Sequence, residues 1–343
     1  MDGRLVVGLV ATLGLVIVID LSLAVALAIV VHPWVSTVLA YAGIEATAAS
    51  IAVLTVVVVG VLLVVQLRYT RRELLAEADA AEVGPDKSAL TDRVTRLAAQ
   101  ADMPTPAVAL ADSPAPNSMA IGEFGPGTIV VSRGLLETLD GPELDAVLAH
   151  ELVHLKNRDA VVMTIASFVP ALVADEYSPF EGLPNWVKPI SGVAAVLAGA
   201  LLASSFLDAP IVTPTGLVQF VVAVAVTIGV AGIVLGVLAA AVVGAAGSLS
   251  RHREYVADRG AAHLTGNPTA LATALTALSV DDRSRTDKRL ATRGLCLLAH
   301  GFDPADESVD GDASIDLRTH PPVEARIDRL RELAGRIETE RRI

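Results

Sequence analysis

The chain has 343 residues, 53% hydrophobic but only 3% aromatic, and its mean hydropathy of +0.58 excludes an ordinary soluble globular protein. Its formal charge is −12, and lysine occurs only at Lys87, Lys156, Lys188 and Lys288, so it has no basic patch of useful size and nucleic-acid binding is excluded. The one cysteine, Cys296, excludes a disulfide framework and a cysteine-built metal site, and its neighbours Leu295, Leu297 and Leu298 suit a buried structural thiol.

An acidic, lysine-poor balance is also what proteins of salt-loving archaea carry. In chain order, residues 5–31 form an apolar run charged only at Asp20. The run is too long for a signal-peptide core and ends in no small-residue cleavage site, so it reads as a retained membrane span. Asp20 reads as a carboxyl near a helix end or one answered by a neighbouring helix, and His32-Pro33-Trp34 as an interface and turn. A second span, 47–67, ends in Arg68, Arg71 and Arg72, whereas the loop before it carries Glu45 and no Lys or Arg. The positive-inside rule then puts these arginines, and Arg4, in the cytoplasm. Residues 1–67 are thus expected to form a transmembrane hairpin.

Residues 68–160 read as the first part of a soluble domain. A polar helix is expected over 73–82, broken at Gly84-Pro85, and an amphipathic helix over 88–101. Strands follow at 107–110 and Thr128–Ser132, with Pro116 to Ala120 between them. The next stretch, DGPELDAVLAHELVHLKNRD from Asp140 to Asp159, contains His150-Glu151-Leu152-Val153-His154. Asp140 with Glu143 spells a capping box, Pro142 suits a first turn, and Leu144, Val147, Leu148, Leu152 and Leu155 recur at helical spacing. On a helix, His150 and His154 share one face and can present two imidazoles to one zinc ion, with Glu151 beside them as general base.

Three apolar segments come next, at 160–174, 190–206 and 217–247. The second soluble part must rejoin the first on one side of the membrane, so two of the three cross. Either 190–206 and 220–245 span while 160–174 lies at the interface, or the metal helix runs straight into a span; both fit. Residues 161–249 are therefore transmembrane or interfacial. Residues 250–343 return to soluble composition: helices at 253–264 and 268–279, loops at 281–289 and 303–316, and a closing amphipathic helix at 323–342. The whole reads as an α+β, mostly helical integral membrane protein.

Two histidines do not complete a zinc site. Ala160 stands where a third histidine six residues after His154 would be, and Asp175 and Glu176 lie past an apolar run. Glu254, with Asp258 one turn further along its helix, is the better third ligand. Asn157, Arg158 and Asp159 read as fold-holding, and His252, His263 and His300 as structural.

HELVHLKNRD, followed after apolar segments by SRHREYVAD, resembles the membrane zinc metalloproteases of the HtpX type, peptidase family M48, which also includes the CAAX prenyl proteases. The resemblance extends to PNSMAIG at 116–122, TIVVSRGLLETL at 128–139 and THPPVEARIDRL at 319–330. It implies a zincin-like cytoplasmic domain with one Zn2+ per chain on His150, His154 and Glu254, and zinc-bound water attacking a peptide carbonyl with Glu151 as base. It implies that Asn117, Ser118, Met119 and Ala120 lie on an edge strand to which an extended substrate adds. The resemblance further implies that Asp258 and Arg326 pair behind the ligands and that His320 steadies the transition-state oxygen, with helix capping the alternative for His320. The implied substrates are misfolded membrane proteins or other unfolded chains, met at the lipid bilayer. The chain departs from the family's pattern over 160–216, which leaves the number of spans open. A CAAX-type prenyl protease and an inactive zinc-bound membrane scaffold are the alternatives. An intramembrane site is not, because Lys156, Asn157, Arg158 and Asp159 follow the motif at once.

Overall fold

A computed structural model describes residues 3–41, 48–83, 89–123, 125–173, 212–279, 296–297 and 321–341. It is mostly helical with one small sheet. The helices are α1 (Gly3–Tyr41), α2 (Ala48–Glu77), α3 (Ala89–Gln100), α4 (Arg133–Thr138), α5 (Gly141–Asn157), α6 (Asp159–Val173), α7 (Pro214–Thr265), α8 (Pro268–Ser279) and α9 (Val323–Arg341). The strands are β1 (Ala80–Glu82), β2 (Ala107–Ala111), β3 (Ser118–Ile121) and β4 (Thr128–Ser132), in the order β1-β2-β4-β3. The β2–β4 pair is parallel, while β1–β2 and β3–β4 are antiparallel.

The chain divides into two compact units. One gathers Met1–Gly14, Gln66–Ala171 and Val242–Ile343; the other comprises Leu15–Val65 and Leu172–Ala241. The first unit carries the sheet and the core. Leu90, Val94, Leu97 and Ala98 of α3 recur on one helical face and meet Leu144, Val147, Leu148, Leu152 and Leu155 of α5. Leu271, Leu275 and Leu278 of α8 and Ile327 and Leu330 of α9 close the same cluster. From the sheet, Val108, Ala120, Ile129 and Val131 point into it.

Close backbone approach fixes two junctions. A Cβ on Gly122, just past β3, would fall inside the backbone of Val161 at the start of α6. A Cβ on Gly260 in α7 would lie 2.8 Å from Val153 Cγ1 of α5, so glycine lets these two helices meet closely.

The structure departs from the sequence reading at several places. The polar helix expected to Glu82 ends at Glu77; Asp79, at φ 46, turns the chain and Ala80–Glu82 joins the sheet against β2. Strand pairing there outweighs the strong helix propensity of Ala-Ala-Glu. No turn occurs at Pro33, since α1 continues through it to Tyr41; proline removes one backbone hydrogen bond, a loss a 39-residue helix tolerates. Asp20 consequently lies mid-helix rather than near an end, and is buried. The capping box at Asp140 does not form: its side chain makes no cap bond, and Pro142 withholds the N2 donor it could have used. The span and the following helix expected separately at 220–245 and 253–264 are one unbroken helix of 52 residues. Helix α6 is separated from α5 by Arg158, which caps α5 in the left-handed region at φ 63. Helix α6 is described as far as Val173, and Ala160, Val162, Met163, Ile165 and Ala166 on it are buried. The 190–206 segment lies outside the described residues.

Candidate metal centre

Helix α5 runs beneath the sheet and turns its fourth-position pair inward: His150 and His154 are 0% and 3% exposed. Their Nε2 atoms face each other 3.1 Å apart. From α7, Glu254 brings Oε2 to 3.4 Å from His150 Nε2 and Oε1 to 3.6 Å from His154 Nε2. Two imidazole nitrogens and one carboxylate oxygen thus lie within 4.8 Å of one another. Glu254 is fully buried and neither of its oxygens accepts a hydrogen bond. Buried Arg326 and Arg253 answer its charge at 3.3 and 3.4 Å, while its oxygens, accepting no hydrogen bond, keep lone pairs open to a ligand. The donor set therefore fits a metal ion, with zinc the ordinary choice for two imidazoles and a carboxylate.

Each imidazole is held from behind. His154 Nδ1 lies 2.9 Å from Asp159 Oδ1, so the tautomer protonated at Nδ1 leaves Nε2 free to ligate. His150 Nδ1 lies 3.1 Å from Asp258 Oδ1, close enough for ion pairing though off the line of a hydrogen bond. Arg326 on α9 grips Asp258 with both arms, Nε to Oδ2 at 2.9 Å and Nη2 to Oδ1 at 2.7 Å, a bidentate fork. Its Nη1 donates to the Leu297 carbonyl at 3.2 Å and lies 3.3 Å from Glu254 Oε2. Arg253 adds a second buried guanidinium, its Nε 3.4 Å from Glu254 Oε1.

These charges set the protonation states. Burial pushes the His150 imidazole down, but the Asp258 and Glu254 carboxylates outweigh it and raise its pKa to about 9. Glu254 falls well below the usual carboxylate range: burial opposes ionisation, yet Arg326, the two imidazoles and Arg253 prevail. Asp258 is lowered too, chiefly by Arg326 against the effect of burial. Glu151 moves the other way. Burial raises its pKa beyond what His150, His154 and Ser118 recover. A metal must therefore displace a proton from His150 to bind.

Glu151 sits one residue along α5 from His150, 1% exposed. Its Oε1 accepts from the Ser118 hydroxyl at 2.6 Å, while Oε2 accepts no hydrogen bond. Ser118 belongs to β3, one edge of which pairs with β4. Along its other edge, Met119 bridges Cys296 in antiparallel fashion and the Leu297 N–H donates to the Ser118 carbonyl at 2.8 Å. The backbone that sequence reading gave to substrate is thus partly occupied by the chain's own residues. Asn117 precedes the strand, buried, its Oδ1 accepting from the Ser118 N–H at 2.9 Å. Met119 and Ala120 are buried as well. His320 lies outside the described residues.

The structure brings together His150, Glu151, His154, Glu254, Asp258 and Arg326. Sequence reading missed three participants. It took Asp159 for a fold-holding residue, although a carboxylate just past the left-handed cap of α5 is turned back toward that helix's last turn. Arg253 gives no sign of burial in a run of charged residues. The pairing of Cys296 and Leu297 with β3 joins segments too far apart in sequence for any local pattern to reveal.

A model of peptidase family M48 matches residues 85–334. A protein named Protease HtpX homolog from Moorella thermoacetica is 32% identical over 292 residues, 83% of this chain and 86% of that protein. Protease HtpX homolog 1 of Streptomyces coelicolor is 35% identical over 255 residues, covering 72% and 70% of the two chains. Protease HtpX homolog 2 of Methanosarcina mazei is 32% identical over 281 residues, covering 80% and 83%. The crystal structure of S. mikatae Ste24p shares 18% identity at a TM-score of 0.41, and the alignment spans 82% of this chain but only 57% of that one. With a family model over most of its length and relatives above 30% identity covering most of theirs, the chain belongs to peptidase family M48 and is an HtpX-like metalloprotease.

Proposed function

We propose that this metalloprotease carries one Zn2+ on His150, His154 and Glu254 and cuts peptide bonds of misfolded membrane proteins at the cytoplasmic face of a cell membrane. The observation that carries the reading is the convergence of two buried imidazoles on a carboxylate that accepts no hydrogen bond, with a second buried carboxylate beside them. Zinc held there supplies a Lewis acid and a hydrolytic water acidified toward neutrality.

The chain's own groups do the rest. Glu151 takes a proton through its open Oε2 as water attacks the peptide carbonyl, then returns it to the leaving amine. Burial raises the Glu151 pKa above the usual carboxylate value, so the carboxyl holds an accepted proton more readily. Asp159 and Asp258 hold the two imidazoles, and Arg326 holds Asp258. His320, in the family's late motif, donates to the developing oxyanion. An extended substrate adds to the edge of β3 away from β4, along Asn117, Ser118, Met119 and Ala120, displacing the Cys296–Leu297 pair.

Membrane attachment rests on α2. The stretch Ala52–Ala76 is 25 residues long and apolar enough to cross a bilayer, and Val53, Val56 and Val61 on it are 63%, 71% and 55% exposed. In the domain plan that follows, an N-terminal hairpin of 1–67 precedes a catalytic domain in two parts, 68–160 and 250–343. These are separated by the membrane and interfacial segments of 161–249. Arg68, Arg71 and Arg72 at the end of the apolar stretch favour the cytoplasmic side for that domain.

The test is paired. Wild type, purified under chelator, and Glu151→Gln are given zinc in mild detergent; metal per chain is counted and cleavage of an unfolded protein followed. One zinc in each with cleavage only by wild type is the expected result. No zinc in either brings down the site. One zinc in each with cleavage by neither supports the scaffold reading instead.

A further inference from the structure

We infer that Ser118 is a positioning residue for Glu151, its hydroxyl holding one carboxylate oxygen so that the other is aimed at the reacting centre. The inference rests on the proposed role of Glu151 and adds a residue to it.

The geometry begins with the strand. Successive side chains of β3 alternate between faces, and Ala120, whose partner in β4 is Ile129, points into the core shared with α5. Ser118, two residues earlier and opposite Val131 of that same core, points the same way, onto α5 where Glu151 stands. Its main chain is fixed on both sides: the N–H donates to Asn117 Oδ1 at 2.9 Å and the carbonyl accepts from Leu297 N at 2.8 Å. Only the hydroxyl is left to choose a partner, and it takes Glu151 Oε1 at 2.6 Å. Both residues are essentially excluded from water, Ser118 at 0% and Glu151 at 1% exposure.

The fold does not ask for a hydroxyl here. Ala120 fills the equivalent place two residues on, and an alanine at 118 would keep the strand, its register and its backbone bonds. A buried hydroxyl is unfavourable unless bonded, and Glu151 is the partner that satisfies it. Glu151 gains more from the contact than Ser118 does. A glutamate side chain turns about three bonds, and a base misplaced by about 1 Å can lose on the order of a hundredfold in rate. Fixing Oε1 to a rigid strand leaves Oε2, which accepts no hydrogen bond, as the oxygen that meets the substrate's water.

The test uses the full chain in detergent, loaded with zinc, with fluorescence-quenched casein as the unfolded substrate. Ser118→Ala is expected to keep one zinc per chain, its melting temperature and a KM within about twofold, while kcat falls about tenfold. Threonine and valine share a shape and differ in the hydroxyl, so Ser118→Thr should restore most of kcat and Ser118→Val should not. The inference is overturned if Ser118→Ala keeps kcat within twofold, or if Thr and Val lose it equally, which would assign the site to packing. It is also overturned if Ser118→Ala sheds zinc or unfolds, since the hydroxyl would then be structural. If wild type binds zinc and cleaves in that experiment, the proposed function stands whatever the Ser118 variants do; if wild type does neither, that reading fails and takes this one with it.

Discussion

Removing the Arg326 guanidinium should loosen the metal-free catalytic unit more than any other single change behind the metal centre. Arg326 is 1% exposed and makes three hydrogen bonds, two to Asp258 and one to the Leu297 carbonyl, besides lying 3.3 Å from Glu254. In Arg326→Met, Asp258 keeps, among the described residues, His150 Nδ1 as its near partner at 3.1 Å, while Glu254 still has Arg253 at 3.4 Å. Taking one partner from a buried ion pair costs about 3–5 kcal/mol because the other charge stays buried. The chain supplies its own reporter. Cys296 is its single cysteine, 1% exposed, and sits beside the Leu297 carbonyl that Arg326 holds. Under native conditions a thiol reagent modifies Cys296 only in molecules that have opened, so the rate follows the open fraction. At about 1.4 kcal/mol per factor of ten, labelling of the zinc-free variant should rise roughly 140- to 4000-fold. Arg326→Met combined with Asp258→Asn should recover part of that, since both charges leave together. Arg326→Lys should not rescue, because an ammonium cannot make the fork. A rise below tenfold with an unchanged melting temperature would refute the reasoning.

Three further outcomes follow from the same geometry. Asp159→Asn should weaken zinc binding by about 10- to 100-fold in chelator competition while the apo-protein melts normally, because Asn no longer fixes the His154 tautomer; unchanged affinity would exclude Asp159 from the site. His150, with its pKa raised from 6.5 to about 9, must lose a proton to bind metal, so zinc affinity should climb with pH up to about 9 with proton release, and level off above. By the same sign, the stability that proton gives the zinc-free protein is fully present below about 6.5 and is lost as pH rises through about 9, so zinc-free melting temperatures should fall across that window; a flat profile would show that the carboxylates do not hold the proton. Leu297→Pro removes the N–H that bonds the Ser118 carbonyl, so if substrate takes that edge KM should fall; an unchanged KM in a variant that melts like wild type would mean the pair and the substrate do not compete.

How much of this could be read from the sequence depended on how local the physics was. His150 and His154 lie one turn apart on a helix whose apolar positions declare its buried face, so the ligating pair could be read directly. Strand β4 and helices α3, α8 and α9 were legible for the same reason: short alternation or helical periodicity fixes an element without reference to distant partners. Boundaries read from composition did less well. Helix α7 changes from apolar to charged near Arg251 without changing conformation, because a backbone helix is indifferent to whether lipid or protein surrounds it. The strand β1 was invisible for the opposite reason: nothing in Ala-Ala-Glu favours a strand until β2 offers it an edge.

The site divides along the same line. Glu254 lies a hundred residues beyond His154, and its choice over Asp175 and Glu176 leaned on where the apolar runs stop, with family resemblance supplying the rest. Asp258 and Arg326 followed from that resemblance, and the structure pairs them. Asp159 was visible but misjudged, since only the left-handed turn at Arg158 reveals that a residue past the helix end points back at His154. The Ser118 hydroxyl and the Leu297 N–H belong to a class no pattern discloses: a strand residue's side chain meeting a helix, and its backbone meeting a segment far along the chain. Zinc ligands tolerate little variation, because the metal dictates which atoms can bind it. The groups that aim those ligands, and whatever covers the strand beside them, need only present a donor or an acceptor in the right place. Such supporting groups are therefore read from coordinates more readily than from any local sequence pattern.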